Sequence, residues 1–102
     1  MRSRYCAYAK GLAEYIIKTT DPQGPQWQMD RAQWEREVQH FSQSTRFEGL
    51  SILDVGPVVS DSATVTFRAS LRREGKDVGF TECSVFRRVE GRWMYVAAAP
   101  QL

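Results

Sequence analysis

The spacing of apolar and polar positions changes near the middle of the chain. Up to Thr20 it is helical. Met1, Tyr8, Leu12, Tyr15, Ile16 and Thr19 fall within about 80° of Tyr5 at 100° per residue, and Ser3, Lys10, Glu14 and Lys18 fall opposite. This predicts one helix over residues 1–19. Pro22 stops it, because proline disfavours helical backbone at the residue before it. Residues 21–29, punctuated by Pro22, Gly24 and Pro25, read as a loop. A second helix opens at Asp30, with Gln33 in capping-box spacing, and Trp34, Val38 and Phe41 carry its apolar stripe to about Ser44. Trp27 or Met29 is placed to staple its start.

From Phe47 the period is two. Leu50 and Ile52 alternate in a first strand ended by Gly56-Pro57. Ala63, Val65, Phe67, Ala69 and Leu71 alternate with Thr64, Thr66, Arg68, Ser70 and Arg72 in a second. Arg73 to Lys76 is a turn, Val78 to Val89 a third strand, Glu90-Gly91 a tight turn, and Arg92 to Ala98 a fourth strand. Two helices followed by a four-stranded antiparallel meander make an α+β domain. At 102 residues, a single domain spanning 1–102 is expected.

Strand parity locates one residue that does not fit. Pairing Arg72 with Asp77 sets Ala69 opposite Phe80, Phe67 opposite Glu82, Val65 opposite Ser84 and Ala63 opposite Phe86. The Glu90-Gly91 turn independently sets Arg88 opposite Trp93 and Phe86 opposite Tyr95. Both turns put Phe67, Phe80, Phe86, Trp93 and Tyr95 on one face, and a one-residue slip would scatter that set. Glu82 lies in the middle of it. A carboxylate among phenylalanines is costly unless paired or protonated. The first helix, lying across this face, offers Arg2, Arg4 and the hydroxyls of Tyr5, Tyr8 and Tyr15. Two readings follow: a buried Glu82–arginine pair that locks helix to sheet, or a pocket acid with a raised pKa. The candidate pocket is Arg2, Arg4, Tyr5, Tyr8, Tyr15, Phe67, Glu82, Ser84 and Tyr95. The opposite face carries Cys83, Val85, Met94 and Val96, an apolar patch that suggests a second copy of the chain as partner.

Composition narrows the chemistry further. Apolar residues make up 42% and charged residues 25%, ordinary globular usage. A net charge of +2 with scattered Lys and Arg argues against a nucleic-acid partner. No apolar run reaches membrane-spanning length, and Lys10 and Glu14 interrupt anything resembling a signal peptide. Cys6 and Cys83 form no CxxC pair, and His40 is the one histidine, so no metal site or cofactor is expected. The cysteines read as free buried thiols in a reducing cytoplasm. His40 lies off the apolar stripe and reads as solvated. Ser84 lacks a histidine base, and no phosphate-cradling glycine motif occurs.

The opening MRSRYxAYxxGxxxYIIxTTxP resembles the YchJ family, as do the Asp30–Trp34–Glu37–Phe41-Ser42 helix and the Thr45-x-Phe47-x-Gly49-Leu50-x-Ile52 run. So does the closing Phe80-Thr81-Glu82-x-Ser84-x-Phe86 and Gly91-Arg92-Trp93-x-Tyr95 pattern, and the resemblance runs along essentially the whole chain. It implies a nuclear-transport-factor-2-like (cystatin-like) roll, with helices packed on a strongly curved sheet around a conical pocket. Members usually carry flanking cysteine-rich SEC-C motifs that bind zinc. This sequence shows none, so the zinc does not transfer. Asp21 stands where many relatives have histidine. The resemblance brings no established activity. The expected function is a non-enzymatic binding or interaction module, dimeric, with a small-molecule pocket between the first helix and the sheet. The alternative is an isomerase- or dehydratase-type enzyme using Glu82 as acid or base, with Tyr8 or Tyr15 polarising the substrate. A third reading is an accessory module that acts beside another protein.

Overall fold

The computed structural model describes residues 1–99. Its elements run α1 (Arg2–Lys10), α2 (Ala13–Lys18), α3 (Arg31–Ser44), β1 (Arg46–Val55), β2 (Ser62–Arg73), β3 (Lys76–Asp77), β4 (Phe80–Val89) and β5 (Arg92–Ala98). The predicted first helix is two helices. Gly11 takes the left-handed conformation (φ 70°, ψ 28°). Leu12 N–H donates to the Ala7 carbonyl at 2.8 Å and Gly11 N–H to that of Tyr8 at 3.2 Å, closing α1 in a Schellman-type end. The break resets the helical phase. Ala13, Ile16 and Ile17 turn inward, while Leu12 and Tyr15, expected on the buried stripe, are exposed. The predicted second helix is α3. The Asp30 carboxylate caps it by accepting from Gln33 N–H at 3.0 Å. Trp27 is the residue that staples it, edge-on to Trp34 at 5.2 Å, while Met29 is 93% exposed.

The sheet is antiparallel in the order β1-β2-β4-β5 and has five strands rather than four. The fifth is the short β3, paired to the end of β2. The strand expected from Val78 onward is interrupted. Asp77 Oδ1 accepts from Gly79 N–H at 2.8 Å, and a Cβ on Gly79 would sit 2.6 Å from the Ala69 carbonyl oxygen. The chain therefore turns between β3 and β4 at a spot only glycine fits. Beyond it the register is as read from the turns: Ala69 faces Phe80, Phe67 faces Glu82, Ala63 faces Phe86, and Phe86 faces Tyr95. Both tight turns have paired positive φ values, Glu74 with Gly75 and Glu90 with Gly91, the twist that suits a two-residue hairpin. Register shifts in β1 between Phe47 and Gly49 and between Ile52 and Asp54 are bulges, the usual source of local strand bending.

Two apolar clusters join the layers. Ala7, Ala13, Ile16, Ile17, Trp34 and Val38 bind the helices to one another. Phe67, Ala69 and Leu71 on β2 gather Met1, Tyr5, Phe41, Phe47, Leu50 and Ile52 around them. Fully buried side chains such as Ile16 and Phe67 each contribute roughly 1.5–3 kcal/mol. The segment after α2 then joins the sheet edge. Tyr95 N–H donates to the Thr19 carbonyl and Asp21 N–H to the Tyr95 carbonyl, both at 2.8 Å, in a parallel bridge. That bridge fixes the C-terminal end of α2 beside β5, where the cavity described below closes.

Candidate functional site

Between the helices and the sheet lies a cavity of about 390 Å³. The sheet contributes Phe67, Ala69, Leu71, Phe80, Glu82 and Tyr95; α1 contributes Arg4, Tyr5 and Tyr8; α3 contributes Trp34, Glu37, Val38 and Phe41. Gln26 and Gln28, from the loop before α3, complete the rim. Of the residues expected from sequence, Arg4, Tyr5, Tyr8, Phe67, Glu82 and Tyr95 line this space. Ser84 is fully buried behind Glu82 and bonds to it. Arg2 and Tyr15 stand outside: Arg2 is exposed, and the Tyr15 hydroxyl donates to Ser3 Oγ at 2.7 Å. The Gly11 break accounts for Tyr15, because the phase shift swings it to the surface.

Glu82 has no arginine partner among the described residues, so the expected ion pair is replaced by hydroxyl donors. Ser84 Oγ donates to Glu82 Oε2 at 2.6 Å and the Tyr95 phenol donates to the same oxygen at 3.0 Å. Burial, with the adjacent Glu82 carboxylate, pushes the Tyr95 phenol well above its ordinary 10.0, so it remains a proton donor. Arg4 is bound elsewhere. Its Nη1 donates to the Ile16 carbonyl at 3.2 Å, Thr19 Oγ1 at 2.7 Å and Thr20 Oγ1 at 3.2 Å, all at the end of α2. The same guanidinium stacks over the Tyr95 ring, 4.7 Å from its centroid. Burial lowers Arg4 from its ordinary 12.5, yet a guanidinium this basic stays cationic at neutral pH. Burial also raises the Tyr8 phenol, partly offset by Arg4. The Tyr5 hydroxyl is sealed and lacks a hydrogen-bond partner among the described residues.

The ion pair that does bind helix to sheet is Asp21–Arg87. Arg87 Nε and Nη2 donate to the two Asp21 oxygens at 2.9 and 3.1 Å, and Gln23 N–H adds a third bond at 2.9 Å. The Asp21 side chain is 3% exposed. Burial alone would raise its carboxyl, but the Gln23 N–H and the Arg87 guanidinium outweigh burial and hold it below its ordinary 3.8. Sequence reasoning missed this pair. Asp21 reads there as a loop residue, and the Thr20–Tyr95 bridge brings it to Arg87. It also missed the rim from Gln26, Gln28 and Glu37, although the Trp34–Phe41 stripe pointed α3 toward the sheet.

On the remaining sequence readings, Cys6 is exposed rather than buried, Cys83 is half-buried, and neither is in a disulfide. His40 is exposed on α3. Among the described residues no cluster of His, Cys, Asp and Glu is gathered to hold a metal, and no helix is long and apolar enough to cross a membrane.

Helices layered over an antiparallel sheet, with a half-open cavity between them, define a nuclear-transport-factor-2-like domain, and residues 1–98 match the family model described as "YchJ, middle NTF2-like domain". The chain belongs to the YchJ family. A UPF0225 protein of Actinobacillus succinogenes is 35% identical over 103 residues, covering 100% of this chain and 64% of the relative. A UPF0225 protein of Streptomyces coelicolor is 37% identical over 97 residues, covering 93% of this chain and 67% of the relative. The chain thus spans less than two thirds of the Actinobacillus protein's length. Among solved structures, a SEC-C motif containing protein from Rhodopseudomonas palustris superposes with a TM-score of 0.81 at 31% identity, covering 100% of this chain and 76% of that one. A second SEC-C motif containing protein, from Psychrobacter arcticus, shares the fold at a TM-score of 0.73 and 23% identity, covering 100% of this chain and 60% of its own.

Proposed function

We propose that this YchJ-like domain is a non-enzymatic small-molecule binding module whose ligand enters between α1, α3 and the sheet. The observation that carries the reading is the 390 Å³ cavity, whose aromatic walls converge on a few polar groups. Its volume is in the range of natural ligand sites, about 300–1,000 Å³. A heteronuclear NMR titration with a small aromatic probe, benzyl alcohol, tests it. Saturable shifts confined to amides of β2, β4 and α1 are expected. Shifts scattered over the surface, or none, would refute the pocket reading.

The alternative, acid–base catalysis by Glu82, draws on one observation. Both hydroxyl donors fall on Oε2, and Oε1 has no partner among the described residues. A substrate on that side would meet a carboxylate held in one orientation. Under this alternative Glu82→Gln retains affinity and loses turnover; under the binding reading no turnover exists to lose.

The same proposal includes a cytoplasmic location, supported by two unpaired cysteines, and a homodimer through Cys83, Val85, Met94 and Val96. That surface is narrower than the alternation suggested, because Met94 lines a small pocket together with Pro22 and Trp27, and Gly24 lies against the Val96 carbonyl.

A further inference from the structure

Two formal charges of opposite sign occupy the cavity wall without touching. Arg4 donates through Nη1 to the end of α2, and its guanidinium also meets the Tyr8 hydroxyl on the cavity wall. Glu82 receives both its donors on Oε2, which leaves Oε1 unbonded. Among the described residues only Tyr5 Oη and Thr45 Oγ1 are both sealed and unpartnered. Glu82 Oε1 is therefore reachable, and Arg4, Tyr8 and Glu82 all line the cavity.

A direct ion pair would be the obvious way to satisfy two charges taken out of water. No such pair forms among the described residues: Arg4 lies over the Tyr95 ring and Glu82 receives its phenol. Glu82 keeps an unmet acceptor at Oε1, and the Arg4 charge stands beside the Tyr8 hydroxyl on the same cavity wall. Opposite charges on one wall suit a dipolar head. At the rim, Glu37 does not compete for a cation on equal terms, because Gln28 and Gln33 amides already donate to its two oxygens.

We propose that the cavity takes a zwitterion, specifically an α-amino acid with an aromatic or branched apolar side chain. Its carboxylate meets the Tyr8 hydroxyl and the Arg4 charge behind it. Its ammonium meets Glu82 Oε1. Its side chain lies among Phe41, Phe67, Leu71 and Phe80. A lone amine would leave Arg4 unanswered and a lone carboxylate would leave Glu82 unanswered, whereas a zwitterion answers both. This inference rests on the reading of the cavity as a ligand site.

Calorimetric titration of the full chain with four probes tests it: L-phenylalanine, phenethylamine, 3-phenylpropionate and benzyl alcohol. Phenylalanine is expected to bind at least about tenfold more tightly than either half-molecule, a difference of roughly 1.4 kcal/mol. Glu82→Gln is expected to weaken phenylalanine and phenethylamine and to leave 3-phenylpropionate unchanged. Tyr8→Phe, a gentler change, is expected to weaken phenylalanine and 3-phenylpropionate and to spare phenethylamine. If either half-molecule matches phenylalanine, or only benzyl alcohol binds, the zwitterion is overturned and the ligand site stands. If none of the four binds, both fall.

Discussion

Glu82, half-buried, and Asp21, buried, show how differently two carboxylates can be stabilised in one small domain. Sequence parity alone puts Glu82 in apolar surroundings and demands a cation; the fold supplies Ser84 and Tyr95 hydroxyls instead. Replacing Glu82 by Gln keeps an acceptor for both hydroxyls and removes only the charge that strengthens them. Its expected cost is therefore about 1–2 kcal/mol, below the roughly 3–5 kcal/mol for breaking a buried ion pair, as read from urea denaturation. Asp21 is the opposite case. Its folded-state carboxyl is held below the ordinary 3.8, so the unfolded chain takes up the proton first as pH falls. The stability it contributes is complete above the ordinary carboxylate range and is lost as pH drops below about 4. Asp21→Asn is expected to cost about 1–3 kcal/mol at pH 7, the lower part of the range because Arg87 is 43% exposed and rehydrates. Melting temperatures at pH 7 and pH 3 check this: the gap between parent and variant should narrow at the lower pH, and a constant gap would assign the effect to packing.

At the level of elements, what was legible in the sequence depended on whether one residue's neighbours in the chain decided its conformation. The sheet register could be read because the Glu74-Gly75 and Glu90-Gly91 turns each fix it locally, and the two agree on one face. The helix break at Gly11 was not legible. The apolar rhythm of Tyr8, Leu12 and Ile16 passes through it unbroken, and a single glycine inside a helical pattern is usually tolerated. What decides it is tertiary. The break lets α2 turn so that the Ile16 carbonyl and the Thr19 and Thr20 hydroxyls meet Arg4, and the segment after α2 meets β5. The β3–β4 interruption and the β1 bulges were hidden for the same reason, since they answer to contacts far along the chain. The bonds that hold Arg4 in the candidate site follow from the break, whereas Phe67, Glu82 and Tyr95 follow from the alternation. Gly11→Ala tests the assignment. A left-handed alanine costs roughly 1–2 kcal/mol, and its Cβ would meet Ser42 Oγ at 3.3 Å, tight but adjustable. A loss of that size in chemical denaturation, with unchanged helical circular dichroism, is the expected outcome; a gain in both helicity and stability would show that a continuous helix is compatible with the fold.

For the whole molecule, the open question is which apolar surface a partner would cover, and the burial pattern separates two answers. The proposed outer-face patch of Cys83, Val85, Met94 and Val96 is half-buried, includes the Arg87–Asp21 pair, and is broken at Val96 by a register shift that sets Ala97 opposite Val85. A different surface is far more exposed: Leu53, Val55, Val58 and Val59, at the end of β1 and in the loop after it, are 53–65% exposed. Exposed area by itself favours the second surface as a sticky patch. Strand pairing favours the first as a symmetric interface, because hydrogen-bonded strands hold their side chains in fixed positions that a two-fold copy can match, whereas a loop tip does not. If the homodimer forms through the outer face, Val85→Lys puts a charge at its centre and dissociates it, while Val59→Lys leaves it intact. Light scattering over a concentration series should then give twice the mass of one chain for the parent and for Val59→Lys, and the mass of one chain for Val85→Lys. A parent that stays monomeric at every concentration removes the dimer, and dissociation by Val59→Lys alone moves the interface to the β1 end.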